Sequence, residues 1–314
     1  MNDEIESELR KILGEELKQN VVLRDYVSMK VGGVADFFYT AKDIGNLTLA
    51  VSAAIKLGIP YFILGGGYNT IPSDLGYPGL VIRNESSNIA FSPDFSLAIA
   101  DSGVNLGCLI NQAASHDLGG LEFLFSVPST VGGAIYGNAG AFKYAIGDFV
   151  KSVTLLMPRD DTAVIIKHSP KWLNFSYRSS ALKTDFKDDK YKPVILTATL
   201  QLVQRRKDEI LRMMQENLET KKKFQPLGQK SAGSFFKNID STPEKSAGYL
   251  LDKSGAKKLR VGGAAFSKHH ANFLINHRNA TATDVYNLAE KAKKLVKEKY
   301  GLDLKEEVEY IGKW

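Results

Sequence analysis

The chain has 314 residues, 44% hydrophobic and 24% charged, with a net charge of +6. That length exceeds the size at which one core usually stops growing, so two or three domains are expected, and the composition is that of an ordinary globular protein. The single cysteine, Cys108, excludes a disulfide framework and a thiolate metal site. The polar start, Met1-Asn2-Asp3-Glu4, reads as no signal peptide. No apolar run reaches the ~18 residues of a membrane helix, so a cytoplasmic location is expected. The basic balance fits an anionic ligand or nucleic acid, and is also compatible with neither.

Ile5, Leu9, Ile12, Leu13 and Leu17 recur at helical spacing, which predicts an amphipathic helix over residues 3–19. A Gly32-Gly33 pair precedes a strand through Phe37-Phe38-Tyr39. Asp43 is placed to cap a helix that Gly58 and Pro60 stop. The apolar run Tyr61-Phe62-Ile63-Leu64 then reads as a buried strand ending in Gly65-Gly66-Gly67-Tyr68-Asn69. Glycine lets backbone adopt positive φ and approach a ligand closely, and successive N–H groups there can form an anion nest. A tight surface turn is the plainer alternative. The loop is neither a dinucleotide fingerprint nor a P-loop.

Short strands are expected over 79–83 and 96–100, then a helix over 105–114. A second glycine-dense stretch runs from Val127 to Ala141, with small residues almost throughout. It suits either a flat ligand lying on backbone or a close helix–strand crossing. Residues 149–157 and 161–167 read as a hairpin around Arg159-Asp160-Asp161. Alternation from Val194 to Val203 gives a half-buried strand. Arg205-Arg206-Lys207 and Lys221-Lys222-Lys223 flank a charged helix over 205–223, and Gln225-Pro226-Leu227-Gly228 marks a linker. The remainder reads as strand 233–238, helix 243–254, strand 258–261, strand 271–276, helix 282–299 capped by Thr281 or Thr283, and strand 307–311.

His116, His168, His269, His270 and His277 show no metal spacing, so no metal is expected. Three polar side chains stand in strand or turn contexts: Arg178 in Tyr177-Arg178-Ser179-Ser180, Ser234 between Gly233 and two phenylalanines, and Glu307 at the start of the last strand. Taken singly, each also reads as an ordinary surface or hydrogen-bonded residue.

Together the motifs resemble the UDP-N-acetylenolpyruvoylglucosamine reductase family, in its order, from about residue 20 to 312. They are Val31-Gly-Gly-Val-Ala-Asp36, Leu64-Gly-Gly-Gly-Tyr-Asn69, Gly120-Leu-Glu-Phe-Leu124, Pro128-Ser-Thr-Val-Gly-Gly-Ala134, Asn138-Ala-Gly-Ala141, Tyr177-Arg-Ser-Ser180, Ser231-Ala-Gly-Ser-Phe-Phe-Lys-Asn238, His270-Ala-Asn-Phe273 and Glu307-Val308. The last domain is compact, like the shorter of the family's two subtypes. The chain departs from the family pattern at Val34, Tyr68, Ser126, Ser129, Ile239 and Glu309.

The resemblance implies an α+β fold: a two-subdomain FAD-binding module of the vanillyl-alcohol-oxidase/PCMH type, residues 1–85 and 86–224, and a smaller α+β substrate-binding domain, 225–314. It implies non-covalent FAD, NADPH as hydride donor and a sugar-nucleotide substrate whose enolpyruvyl double bond is reduced. It implies no nucleic-acid or membrane partner. Another FAD oxidoreductase of the same flavin fold is the alternative.

By resemblance, Gly65, Gly66, Gly67, Tyr68 and Asn69 hold the flavin pyrophosphate. Pro128, Ser129, Thr130, Gly132, Gly133, Gly137, Asn138 and Ala139 carry the rest of the flavin. Tyr177, Lys237 and Asn238 bind substrate. Arg178 stabilises the developing dianion with a permanent charge, Glu307 supports the carboxylate, and Ser234 delivers a proton to C2.

Overall fold

The computed structural model describes residues 2–226 and 228–314; within the expected linker, Leu227 lies outside the described residues. The chain forms two compact units. One comprises Met1–Gln19, Phe37–Gly66 and Gly79–Thr220, the other Asn20–Asp36, Gly67–Pro78 and Lys221–Trp314.

The first unit begins with helix Asn2–Leu13, which ends where Gly14 takes a φ of +71°. Leu9, Leu13 and Leu17 are all buried, but Leu17 follows a 3₁₀ turn and lies off the helix, contrary to the helix over 3–19 that its spacing predicts. Helix Ile44–Lys56 starts as expected, with the Asp43 carboxylate accepting the Asn46 N–H at 2.7 Å. Strand Tyr61–Leu64 runs parallel to Tyr77–Asn84, and the four-stranded sheet is ordered 18–22, 34–41, 77–84, 61–64.

An antiparallel five-stranded sheet follows, ordered Thr162–His168, Val150–Arg159, Val194–Gln201, Leu97–Asp101 and Ile89–Ser92. The predicted hairpin is present, with Asp160 at φ +48° in its turn. Strand Ile89–Ser92 was not expected from its sequence.

Leu47, Ala50 and Ala54 of the first helix share a core with Leu156, Val194 and Leu196 of that sheet. Helix Leu106–Ala114 and the start of Lys207–Phe224 close a second core. There Glu122, buried at 2% exposure, accepts from Arg205 at 2.9 Å and from the Gly120 N–H at 2.9 Å. A buried carboxylate needs such partners.

The second unit packs around Phe235, Phe236, Leu250, Phe266, Leu274, Val285, Leu288 and Val296. Its longest helix, Ala282–Tyr300, is capped by Thr281 in a reciprocal arrangement with Asp284 and ends at Gly301, φ +70°. Asp74 adds a second anchor, accepting the Ala282 and Thr283 N–H groups at 2.8 Å each.

Arg260–Val261, Ala264–Phe266 and Leu274–Asn276 form a three-stranded meander, whose middle strand was not expected. The predicted strand 233–238 makes only an isolated bridge, Phe236 to Glu306. The final strand, Glu309–Ile311, runs parallel to Thr70–Pro72.

Candidate active site

In the first unit the two glycine-rich stretches meet. Strand Tyr61–Leu64 delivers Gly65 against Thr130: a Cβ on Gly65 would lie 2.7 Å from the Thr130 Oγ1. Thr130 caps the short helix Val131–Tyr136 by accepting the Gly133 N–H at 3.2 Å. That helix is seated by backbone bonds: Val131 N–H to the Val104 carbonyl at 2.9 Å and Gly132 N–H to the Ser102 carbonyl at 2.8 Å. Gly132 faces inward, where a Cβ would lie 2.8 Å from the Ser102 Cβ.

Ser129, Gly133 and Gly137 follow one another at i,i+4 spacing and present the opposite character. A Cβ on Gly137 would meet no protein atom nearer than 3.6 Å, and one on Gly133 would meet only the Ser129 and Thr130 hydroxyls at 3.3 Å. The result is a strip of almost bare backbone, with Pro128 and Gly133 exposed. Among the described residues Ser126 Oγ, at the start of this stretch, is buried without a hydrogen-bond partner. Glycine at Gly65 and Gly132 is required by close packing, whereas a Cβ on Gly137 would make only an ordinary contact and leaves room for something outside the protein.

Arg178 belongs to the same unit. It sits at φ +53° in a turn closed by reciprocal Ser176–Ser179 backbone bonds of 3.1 Å. The turn is tied to the glycine-dense stretch at two points. Ser180 Oγ donates to the Tyr136 carbonyl at 2.7 Å, and Asn138 Nδ2 donates to the Ser176 carbonyl at 2.8 Å. Asn138 Oδ1 also accepts the Gly147 N–H at 3.0 Å, so both ends of its carboxamide bond to the protein. The Arg178 Nη1 lies 3.2 Å from where a Gly140 Cβ would stand. The guanidinium therefore borders the loop's bare backbone. Tyr177 beside it is 57% exposed, and Ala139 is half-buried.

In the second unit Gly67 holds φ +67° and packs so tightly that a Cβ would lie 2.2 Å from the Tyr26 carbonyl oxygen. Only glycine meets both demands. Tyr68 and Asn69 are exposed, and Asn69 ties the loop to the last strand. Its Nδ2 donates to the Glu307 carbonyl at 3.0 Å, and its own carbonyl accepts the Glu309 N–H at 2.8 Å. Glu307 in turn donates its N–H to the Phe235 carbonyl at 2.8 Å. Glu307 is thus adjacent, through backbone, to the segment that carries Ser234.

That segment is held by a side chain in place of a full β-ladder. Asn272, 4% exposed, accepts the Phe236 N–H with Oδ1 at 2.9 Å and donates Nδ2 to the Phe236 carbonyl at 2.8 Å. Its backbone carbonyl takes the Phe235 N–H at 2.8 Å. The sequence reading gave Asn272 no role, although its motif, His270-Ala-Asn-Phe273, contained the signal: a buried carboxamide can satisfy both groups of one peptide.

Lys237 donates its N–H to the Lys305 carbonyl, and Asn238 Oδ1 accepts the Ala247 N–H at 3.0 Å. Half-buried Ser234 lines a cleft of about 380 Å³ with Asn238, Ser246, Tyr249, Lys257 and His270. The chemistry on offer in this unit is a hydroxyl at a cleft wall and the Glu307 carboxylate, which lies two residues before the last strand, Glu309–Ile311, and not at its start as expected. The first unit offers a guanidinium beside a side-chain-free strip.

Two domain families match this chain: the C-terminal domain of UDP-N-acetylenolpyruvoylglucosamine reductase over residues 225–311, and an FAD binding domain over residues 35–165. The chain is 38% identical to the UDP-N-acetylenolpyruvoylglucosamine reductase of Clostridium novyi, over 99% of this chain and 96% of that protein. It is 37% identical to the enzyme of that name from Geobacter metallireducens, over 99% of both. The crystal structure of UDP-N-acetylenolpyruvylglucosamine reductase (MurB) from Thermus caldophilus superposes with a TM-score of 0.75 at 34% identity, covering 93% of this chain and 97% of that one. The fold is accordingly the α+β one expected, with an FAD-binding module over residues 35–165 and the family's C-terminal domain over residues 225–311. This chain belongs to the UDP-N-acetylenolpyruvoylglucosamine reductase family.

Proposed function

We propose that the chain is an FAD-dependent reductase that uses NADPH to convert UDP-N-acetylglucosamine enolpyruvate to UDP-N-acetylmuramate, a peptidoglycan precursor. The observation that carries the reading is the family match along nearly the whole chain, with Arg178, Ser234 and Glu307 all present.

The residues fit the cofactor. The Ser129–Gly133–Gly137 strip offers bare backbone to a flat ring system, and the cap of its helix packs against Gly65. In this reading Gly65, Gly66, Gly67, Tyr68 and Asn69 hold the pyrophosphate, and Pro128, Ser129, Thr130, Gly132, Gly133, Gly137, Asn138 and Ala139 carry the rest without a covalent link. FAD, when bound, supplies hydride transfer from NADPH to the enolpyruvyl double bond. Residues 1–85 and 86–224 are the two flavin subdomains and 225–314 the substrate-binding domain. The location we propose is cytoplasmic, with no nucleic-acid or membrane partner; among the described residues no helix is long and apolar enough to cross a membrane.

The protein's own contribution is placement and charge. Adding hydride beside a carboxylate creates an enolate-like dianion, which needs fixed positive charge and donors. The Arg178 guanidinium binds that carboxylate with a planar fork, and the Glu307 carboxyl supports one of its oxygens by sharing a proton with it. The Ser234 hydroxyl gives its proton to C2. A hydroxyl is a weak acid in water, but a held hydroxyl facing a strongly basic carbon transfers its proton efficiently. Tyr177, Lys237 and Asn238 orient the substrate.

The purified protein is expected to be yellow, to bleach anaerobically with NADPH and to recover on adding the enolpyruvyl sugar nucleotide. A colourless protein that binds no FAD would sink the proposal. Bleaching with no recovery would make it a different flavin oxidoreductase.

Gly137→Ala separates flavin contact from folding. The protein has room for the new methyl, so melting temperature should stay at the wild-type value. A flavin on the strip would be overpacked, weakening FAD binding by about 1–3 kcal/mol. Unchanged FAD affinity, measured by fluorescence titration of the apoprotein, would remove the flavin from this face.

A further inference from the structure

His270 lines the same cleft as Ser234, and its two ring nitrogens have different fates. Nδ1 accepts the Asn272 N–H at 3.1 Å. A neutral imidazole whose Nδ1 accepts must carry its proton on Nε2. Burial holds this ring below the usual histidine range, and the nearby Lys257 ammonium pushes in the same direction. The ring is packed in place. Its Cε1 lies 3.0 Å from where a Gly248 Cβ would stand, and it meets the Phe273 ring edge-on at 5.0 Å between centroids. Glycine at 248 is what admits it. Among the described residues Nε2 has no protein hydrogen-bond partner, and it is not sealed from the cleft.

Several other cleft groups are already engaged. Lys257 pairs with Asp252 at 2.8 Å, Ser246 donates to the Pro243 carbonyl at 2.7 Å, and Asn238 Oδ1 is taken by Ala247. His269 reaches the Lys223 carbonyl at 3.1 Å. A fixed N–H, pre-aimed into a polar cleft and lacking an internal acceptor, is built to meet an acceptor on a ligand.

We propose that His270 is a substrate-binding residue, its Nε2–H donating to an acceptor oxygen on the non-reacting part of the sugar nucleotide held in this cleft. This rests on the function proposed above. The same residue, through Asn272, touches the peptide that holds the Ser234 segment, so occupancy of the cleft and placement of the proton donor share one wall.

Two substitutions divide the ring between its nitrogens. H270N keeps an acceptor near the Nδ1 position and removes the donor. H270Q keeps an N–H near the Nε2 position and removes the acceptor. With the full-length, FAD-loaded protein, calorimetry reads the binding of UDP-N-acetylglucosamine and of UDP, and anaerobic reoxidation reads KM for the enolpyruvyl substrate.

H270N is expected to raise Kd and KM by about 10–100-fold, the loss of a hydrogen bond to a polar or charged acceptor. H270Q should bind close to wild type. Weakening of both ligands places the acceptor on the nucleotide diphosphate; weakening of the sugar nucleotide alone places it on the sugar. Wild-type binding by H270N, or H270Q binding worse than H270N, would overturn the proposal, because the ring would then act only through Asn272. If H270N does not fold, H270Q decides alone: intact binding supports the donor and weakened binding refutes it. A wild-type protein that binds the UDP-sugar but is not reoxidised by its enolpyruvyl ether would fail the proposed reaction and leave this cleft's role standing.

Discussion

Replacing Ser234 by alanine should leave the protein yellow and its bleaching by NADPH at the wild-type rate, while reoxidation by the enolpyruvyl sugar nucleotide slows by about 10²–10⁴-fold. The asymmetry follows from where the proton is needed. Hydride delivery to the cofactor needs no proton at C2, whereas completing the reduction of the substrate does. The substitution removes one oxygen and little else. The Ser234 segment is fastened by Phe235 and Phe236 backbone groups to Asn272 and Glu307, and none of those bonds involves the serine hydroxyl. Phe235 and Phe236 are also buried, so alanine at 234 keeps the local path of the chain. Stopped-flow absorbance of the two half-reactions, recorded separately without oxygen, makes the measurement. Slowing both steps alike would show that the hydroxyl matters for cofactor geometry and would remove its role as proton donor.

Arg178→Lys should cost about 10²–10³-fold in kcat/KM for the sugar nucleotide, comparable to losing one stabilising donor of a developing oxyanion. Lysine keeps the charge but not the planar fork that grips a carboxylate with two parallel bonds. Both residues pay the same backbone cost at φ +53°, so the comparison isolates the head group. The turn does not depend on it either. The Ser176–Ser179 bonds, the Ser180 hydroxyl on Tyr136 and the Asn138 amide on Ser176 hold the turn from outside the arginine side chain. FAD content and melting temperature should therefore match wild type. A variant that retains kcat/KM close to wild type would show that a point charge is enough and that bidentate binding is not part of the mechanism.

Several signals with a local cause were read correctly. Asp43 caps helix Ile44–Lys56 because its carboxylate reaches an N–H three residues on, and Thr281 does the same for Ala282–Tyr300. Tyr61–Leu64 is a strand because four apolar residues are followed by glycines that cannot continue it. The hairpin at 150–168 follows from two apolar-rich runs around a polar turn. Two other readings failed. Leu17 matches the helical period, yet Gly14 ends the helix and burial alone carries the leucine inward. Residues 233–238 look like a strand, but their partners are the Asn272 side chain and an isolated bridge.

By itself the sequence determined the fold class, the family and the positions of the glycine loops, and it named Arg178, Ser234 and Glu307 as candidates, because caps, periods and motif order are properties of neighbouring residues. Only the tertiary structure decided that one compact unit is assembled from residues 20–36, 67–78 and 221–314. It alone separated the glycines that packing demands, Gly65, Gly67 and Gly132, from Gly137, where a Cβ would make only an ordinary contact. It alone gave Asn272 its hold on the Ser234 segment and His270 its tautomer. Each of these depends on a backbone group finding its partner far along the chain, and a hydrogen bond between distant residues leaves no periodic trace in the order of amino acids.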